Sequence, residues 1–209
     1  MIIFATYHDP ETISNCQVAE ELTEENDIAL LHSDAHCANL ISHLSTNAVV
    51  FIMAHGNTNL IVGQPPTPRI TFEDLQLIRK KKFYVFACCT ADELGRDLCQ
   101  NDNLYFGYTG SITELDLEKP EFREAFLEIF KYIKDNFFTI NTTAQSEIFL
   151  NDLRNMCEYF RSEIASCGSI KLHYSMRDIW QRIRIWLPNS QLPEKHPLAR
   201  IEPIDDPEM

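Results

Sequence analysis

The chain has 209 residues, of which 44% are apolar and 11% aromatic, and this composition suits one folded domain with a hydrophobic core. Acidic residues outnumber Lys and Arg by 31 to 18, and the formal charge of −13 disfavours nucleic acid and anionic lipid as partners while favouring basic peptides. The sequence shows no apolar stretch of membrane-spanning length and no secretory signal pattern, so we expect a cytoplasmic protein whose seven cysteines are free thiols.

The first 110 residues alternate short apolar runs with helical patterns, which is the order of βαβ units. The apolar runs that predict strands are IIFATY, IALLHS, AVVFIMAH, FYVFAC and LYFGYTG. Two of them, AVVFIMA and FYVFA, lack the polar alternation of a half-exposed strand, so they predict central parallel strands that helices cover on both faces. The sequence therefore predicts an α/β protein with three layers, αβα, around a central and mostly parallel sheet.

From residue 120 onward the pattern becomes helical. PEFREAFLEIFKYIKDNFF carries apolar residues at helical spacing behind a proline suited to a first turn, and it predicts a helix packed on the sheet. A second helix is predicted from Thr143 to Ser166, closing near Gly168. A third is predicted to open at SMRD, a Ser-x-x-Asp capping box that begins at Ser175, and to continue through IWQRIRIW.

These patterns divide the chain into three regions. Residues 1–138 are predicted to form the α/β core, and residues 139–187 a helical annex packed on that core. Residues 188–209 hold five of the ten prolines together with several acidic residues and no apolar periodicity, so they predict an extended or disordered tail.

Two of the predicted central strands are followed by residues that can act as a nucleophile or transfer a proton. His55 follows the first of these strands, and Cys88 and Cys89 follow the second. Neighbouring parallel strands lie about 5 Å apart, and ligands in such sheets bind beyond the carboxyl ends of the strands. We therefore predict that His55 and Cys88 face each other as a catalytic dyad, with a helix start directly after the cysteines and the nearby imidazole favouring the thiolate.

Glycine after the histidine adds a second element to this prediction. Without a Cβ, Gly56 lets a substrate carbonyl approach the main chain, so the Gly56 and Cys88 amides are expected to form an oxyanion hole. Because successive strand side chains point to opposite faces, only one of Cys88 and Cys89 can face His55.

AHGN after one strand and VFACCT after the next resemble the caspase-like cysteine peptidases, most closely their CHAT branch. His55 precedes Cys88 by 33 positions, whereas the interval in animal caspases is about 50, and ACCT replaces their Gln-Ala-Cys-Arg-Gly. LYFGYTGSITELD and FREAFLEIFKYI are also similar to the strand, turn and phenylalanine-rich helix that follow the cysteine in CHAT domains. The resemblance implies a caspase-like fold and, through Ala-Cys-x-Thr, assigns the nucleophile to Cys88.

The same resemblance implies a function. We expect a bacterial cysteine endopeptidase that cleaves a protein or peptide substrate without a cofactor, acts in a cell-death or antiviral defence pathway, and is switched on by a regulatory protein partner. The alternative is a catalytically inactive caspase-like interaction module.

Substrate preference is expected to arise near the first strand and near the cysteine, as it often does in this group. Asp9, Asp92 and Glu93 lie there and are candidates to receive a basic substrate side chain. The structural alternatives are an Asp-Pro turn for Asp9 and favourable first-turn charge on a helix for Asp92 and Glu93.

Three further patterns bear on function. QPPTPRI, residues 64–70, is either a flap over the cleft or a plain surface connection. His32, His36 and Cys37 lack a fourth ligand at zinc spacing, so no metal site is predicted. The sequence contains no Gly-rich dinucleotide turn, P-loop or Gly-x-Ser-x-Gly elbow, which disfavours dehydrogenases, NTPases and serine hydrolases.

Overall fold

A computed structural model describes residues 1–65, 69–163 and 169–200. Its centre is a six-stranded sheet in which five strands are parallel and the strand at one edge is antiparallel to its neighbour. In spatial order the strands are β2 (Ile28–Leu31), β1 (Ile2–Ala5), β3 (Val49–Met53), β7 (Lys82–Phe86), β8 (Leu104–Tyr108) and β9 (Ile183–Trp186). The predicted central and mostly parallel sheet is confirmed.

Seven helices in the described residues flank this sheet. They are α1 (Pro10–Leu22), α2 (Cys37–Leu44), α3 (Phe72–Leu75), α4 (Leu94–Cys99), α5 (Pro120–Asn136), α6 (Thr143–Glu163) and α7 (Ile170–Gln181). Helices α1, α5, α6 and α7 contribute to the hydrophobic core on one face of the sheet, and α2, α3 and α4 to the core on the other. The architecture is therefore compatible with the three αβα layers that the sequence predicts.

Alternation of side chains along the central strands explains the continuous apolar runs. In β3, Phe51 and Met53 belong to the core on the α1 face, whereas Val50 and Ile52 belong to the core on the α2 face. All four side chains are fully buried. A strand covered on both faces has no side that favours polar residues, so its sequence shows no alternation.

A small antiparallel sheet, which the sequence patterns did not predict, lies beyond the end of β3. It contains β4 (His55–Asn57), β5 (Leu60–Val62) and β6 (Arg69–Thr71). Asn57 pairs with Leu60, so a two-residue turn joins β4 to β5. The predicted flap, residues 64–70, falls partly on this sheet, because its last two residues open β6, while residues 66–68 lie outside the described residues.

The C-terminal segment differs from its predicted form. Helix α7 begins at Ile170, where the Ser169 side chain accepts a hydrogen bond from the Leu172 N–H, so the predicted capping box at Ser175 lies inside the helix and the predicted start was wrong. The helix ends at Gln181, and IRIW forms strand β9 instead of a further helical turn. In β9, Ile183 and Ile185 join the core on the α1 face and Trp186 joins the opposite core, which is the side-chain alternation of a strand.

The hydrophobic core is continuous across residue 138, where the sequence pattern predicts a division. Helices α6 and α7 bury residues in the same core as α1 and α5, and β9 completes the main sheet. Part of the predicted tail also packs on the molecule: Glu194 pairs with Ile185, and His196 is 3% exposed. Residues 201–209 lie outside the described residues.

Within residues 1–65, 69–163 and 169–200 no helix combines the length with the apolar character that crossing a bilayer requires.

Asp178 is a buried anion that connects α7 to the segment after β8. Its carboxylate accepts hydrogen bonds from the Arg182 Nε at 3.1 Å and from the Thr113 hydroxyl at 2.7 Å, and it also pairs with Arg177. The side chains of Asp178 and Arg182 are 2% and 8% exposed. Asp178 therefore binds the Arg182 cation, which has little access to water.

We expect Asp178→Ala to lower the free energy of unfolding by about 3–5 kcal/mol, because it leaves the Arg182 charge buried without its partner. Urea denaturation measures the loss. The control is Asp97→Ala, since the pair of Asp97 with Arg96 is 40% and 54% exposed and its removal should change stability by less than about 1 kcal/mol. Equal effects of the two substitutions would contradict this account of Asp178.

Candidate active site

The pairing of β3 with β7 sets the positions of His55 and Cys88. Met53 is the register partner of Phe86, and His55 and Cys88 each lie two positions beyond that pair at the carboxyl edge of the sheet. Both residues line one cavity of about 80 Å³. Its wall also includes Glu11 and Asn15 of α1 and the segment 112–114. The structure thus brings the two residues of the predicted dyad to one cavity.

The Cys88 thiol is held in a protonated state. Its Sγ accepts a hydrogen bond from the Ile112 N–H at 3.3 Å. Burial raises the pKa of the Cys88 thiol, and this effect outweighs the Ile112 hydrogen bond and the positive charge of Arg182, which both act to lower it. The side chain is therefore a thiol at neutral pH, contrary to the thiolate that the sequence analysis favoured.

The expected helix start at the cysteines was also wrong. Helix α4 begins at Leu94, six positions after Cys88, and the N–H groups of Glu93 and Leu94 donate to the Thr58 carbonyl at 3.2 and 2.8 Å. The positive end of this short helix is therefore satisfied by the turn between β4 and β5. It gives no direct support to a thiolate at Cys88.

Cys89 occupies a sharp turn after Cys88. Its φ of +60° lies in the left-handed region, which is uncommon for residues other than glycine. Its N–H donates to the Gly110 carbonyl at 3.0 Å, and its carbonyl accepts from the Asp92 N–H at 3.1 Å. Cys88 lines the cavity and Cys89 does not, which distinguishes the two thiols.

His55 is bound by a carboxylate from the loop after β1. Its Nε2 lies 2.7 Å from Asp9 Oδ2. Burial alone would raise the pKa of Asp9, but hydrogen bonds from Thr12 and from His55 outweigh that effect and lower the pKa to about 2. Because the ionised carboxylate can only accept, Nε2 carries the proton, and the lone pair of a neutral imidazole is on Nδ1.

Asp9 is fixed in place by its role as the N-cap of α1. Its Oδ1 accepts from the Thr12 N–H at 2.9 Å and from the Thr12 hydroxyl at 2.8 Å. Oδ2 contacts His55 and also His8, at 3.1 Å. Both oxygens are thus engaged with protein groups, so the geometry favours orientation of His55 over the predicted contact with a substrate side chain.

The other two predicted substrate carboxylates lie beside the site without lining its cavity. Asp92 accepts a hydrogen bond from the Thr109 hydroxyl at 2.8 Å, and Glu93 is an exposed residue directly before α4. The carboxylates that do line the cavity are Glu11 and Glu114, which sequence reasoning missed. Glu114 is paired with Lys171 at 2.7 Å, whereas Glu11 lies in the exposed first turn of α1.

Gly56 is required by close packing of the strand ends. A Cβ at this position would lie 2.6 Å from Thr90 Cγ2 and 2.8 Å from Ala87 Cβ. It would also lie 2.9 Å from the carbonyl oxygen of Cys88. The Gly56 main chain therefore packs against the Cys88 carbonyl, and this contact within the protein accounts for the glycine.

The structure also brings together three potential metal ligands that the sequence did not reveal. One ligand atom each from His8, Asp9 and His55 lies within 4.8 Å of the other two. Their proximity follows from the pairing of β1 with β3, which places the loops after both strands side by side. The histidine that the sequence analysis considered beside Cys37 has a different role, because the His36 ring caps α2 by accepting from the Asn39 N–H.

No protein-family model and no curated protein sequence matches the chain. The likeness to CHAT-branch peptidases therefore rests on the short motifs alone.

Gly56→Ala tests whether close packing of the two strand ends sets the site. We expect a loss of about 1–3 kcal/mol in the free energy of unfolding, because the new methyl group must displace the turn that carries Cys88. Urea denaturation measures it, with Gly63→Ala as the control. At Gly63 the nearest atom to an added Cβ is the Ala35 carbonyl oxygen at 3.1 Å, so the loss there should be smaller.

The buried Cys88 thiol predicts a particular pH profile of alkylation. A raised pKa means that the thiolate forms at higher pH than in an ordinary cysteine, so the iodoacetamide reaction of Cys88 should be slow at neutral pH and still rising above about pH 9. Peptide mass mapping of the free protein at several pH values measures this rate. Fast reaction of Cys88 near pH 6.5 would show a preformed thiolate instead.

Proposed function

We propose that the protein is a cysteine endopeptidase in which Cys88 is the nucleophile, His55 transfers the proton and Asp9 orients His55. One observation carries the proposal: His55 and Cys88 lie two positions beyond the paired ends of β3 and β7 and line one cavity, while Asp9 binds Nε2 of His55. The resemblance of AHGN and ACCT to the CHAT branch of caspase-like peptidases supports the same assignment.

The proposed reaction uses Nδ1 of His55, because Asp9 binds the other ring nitrogen. As Cys88 Sγ bonds to a peptide carbonyl carbon, its proton passes to Nδ1 of His55, and the carbonyl oxygen becomes an oxyanion. The Gly56 and Cys88 amides stabilise that oxyanion, each by about 3–4 kcal/mol. The imidazolium then protonates the leaving amine, and water hydrolyses the thioester with His55 again as the base.

The state of Cys88 indicates an enzyme that is latent when free. The Ile112 N–H donates a hydrogen bond to the Cys88 sulfur, and burial favours the protonated thiol. The proposed mechanism therefore needs substrate, or a regulatory partner protein, to move the 112–114 segment and expose Sγ. A defence or cell-death pathway suits such control, and this part of the proposal rests on the resemblance.

The cavity suits part of an extended peptide. Its volume of about 80 Å³ is below the 300–1,000 Å³ or so of pockets that enclose a whole organic ligand. Glu11 on its wall and a formal charge of −13 favour a basic residue near the cleaved bond. We therefore propose that lysine or arginine is preferred there.

The second candidate function is an inactive interaction module of the same fold. The protonated and hydrogen-bonded thiol favours this alternative, because a decayed site has no need of an accessible sulfur. The two functions differ in whether any condition produces cleavage that depends on Cys88.

A peptide-library assay with matched cysteine variants decides between them. The purified chain is tested with and without the proteins encoded beside it. If the proposal holds, Cys88→Ala and His55→Ala should each lower kcat/KM by at least about 1,000-fold, because the two groups act as one unit. Cys89→Ala is the control and should change kcat/KM by less than about threefold, since Cys89 does not line the cavity. Cleavage that survives Cys88→Ala contradicts the assignment, and binding of a partner with no cleavage favours the interaction module.

A further inference from the structure

The N-terminal cap of α1 and the start of β4 together present a set of metal ligands. His8 Nε2 and His55 Nε2 lie 3.1 and 2.7 Å from the same atom, Asp9 Oδ2. The two imidazole rings are tilted, with centroids 5.5 Å apart. Two imidazoles and a carboxylate are the ligands that catalytic and inhibitory zinc sites use, with a fourth position left to water.

We propose that His8, Asp9 and His55 bind one divalent transition-metal ion, with Zn²⁺ as the best fit, and that the bound ion switches off the dyad. The regulatory half of this inference rests on the proposed peptidase function. The binding half stands on the geometry of the three side chains alone.

The present separations are close to those of an occupied site. Tetrahedral zinc with bonds of about 2.0–2.1 Å separates its ligand atoms by about 3.3 Å. The two oxygen–nitrogen separations, 3.1 and 2.7 Å, must each lengthen by a few tenths of an ångström to admit the ion. The two nitrogens lie within 4.8 Å of each other, so the imidazoles must also come to about the 3.3 Å that a shared zinc sets.

Supporting contacts hold two of the three ligands before any ion arrives. The main-chain N–H groups of His8 and Asp9 both donate to the Thr12 hydroxyl oxygen, at 3.0 and 3.1 Å. The other carboxylate oxygen of Asp9 accepts from Thr12. The bonds to the Asp9 carboxylate orient that ligand, and supporting bonds of this kind typically raise metal affinity by about 10- to 100-fold.

The site is open to a hydrated cation. The side chains of His8, Asp9 and His55 are 31%, 29% and 37% exposed. A formal charge of −13 on the protein raises the local concentration of divalent cations. Access and charge therefore both favour occupation.

A second cluster of the same kind, Cys16, Glu20 and His32, is a poorer site. The Cys16 side chain is fully buried, and burial raises the pKa of its thiol to about 11. Zinc binds the thiolate, so binding there must remove a proton that the surroundings retain. His55 can free Nε2 by moving its proton to Nδ1, whereas Cys16 must lose its proton altogether, so the first cluster is the better site.

Occupation would remove the base of the proposed mechanism. With Zn²⁺ on Nε2, the neutral imidazole of His55 carries its proton on Nδ1. Neither nitrogen then has a lone pair to accept the Cys88 proton. The ion inhibits without touching the sulfur, and chelation reverses it.

Direct titration tests the binding half. Zn²⁺ is titrated into the full chain, kept reduced with a phosphine, in competition with a chromophoric chelator. We expect one competing site per chain, weakened at least about 10-fold by His8→Ala and by His8→Gln. His173→Ala, which removes an exposed histidine elsewhere, and Cys88→Ala should leave the affinity unchanged.

Two results would overturn the site. One is unchanged affinity in both His8 variants, and the other is loss of binding in Cys88→Ala or in His32→Ala, which would place the ion elsewhere. Co²⁺ gives an independent reading, since ligation by nitrogen and oxygen produces visible bands without the thiolate charge-transfer absorption that a cysteine ligand adds.

Inhibition tests the regulatory half separately. With each rate taken relative to the same variant without metal, His8→Ala should need at least about 10-fold more Zn²⁺ for half inhibition than the unsubstituted chain. Equal sensitivity would refute the switch. If no condition of the peptide-library assay, with or without the neighbouring proteins, produces cleavage while the His8 variants still lose zinc affinity, the proposed function is refuted and the metal site stands.

Discussion

The parallel pairing of β3 with β7 is the constraint on which the rest of the site depends. It buries both strands on both faces and ends them in register, so the residues two positions beyond the last pair share one edge of the sheet. The pairing of β1 with β3 extends the same logic, because it places the cap of α1 beside His55. Three loops that are distant in sequence thus meet through strand order alone, and the chemistry of the site is a consequence of sheet topology.

Close packing at this edge has two consequences that oppose each other. It packs Gly56 against the Cys88 carbonyl, so the two residues whose amides are proposed to bind the oxyanion are held in fixed positions. The same packing buries the Cys88 sulfur and places an N–H on it, which favours the unreactive thiol. A site with a well-ordered frame and a protonated nucleophile is consistent with chemistry that begins only when something displaces the 112–114 segment.

The sequence predicts what depends on local pattern and fails where a partner distant in the chain decides. Continuous apolar runs identify β3 and β7, because burial on both faces leaves a direct mark on composition. The apolar residues of IRIW fit either a helix or a strand, so the pattern does not distinguish the two. IRIW forms a strand because it pairs with the edge of β8. The contact of Asp9 with His55 joins residues 46 positions apart and is invisible without the strand order. The Asp-Pro dipeptide allowed Asp9 to be interpreted as a turn residue, but neither its cap of α1 nor its contact with His55 was predicted.

A single carboxylate oxygen connects the proposed peptidase to the proposed metal site. Asp9 Oδ2 contacts both imidazoles, so a metal ion must replace two existing contacts, at 2.7 and 3.1 Å, before it gains any bond. The His55 contact is a hydrogen bond to a charged group, which contributes about 1.5–3 kcal/mol and less where water reaches it, and the His8 contact adds a further attraction only when that imidazole is protonated. The affinity for the ion is reduced by that amount relative to the same three ligands without mutual contacts. The consequence is a site that binds reversibly and responds to the free metal concentration, because the protein keeps a stable arrangement of its own when the ion leaves.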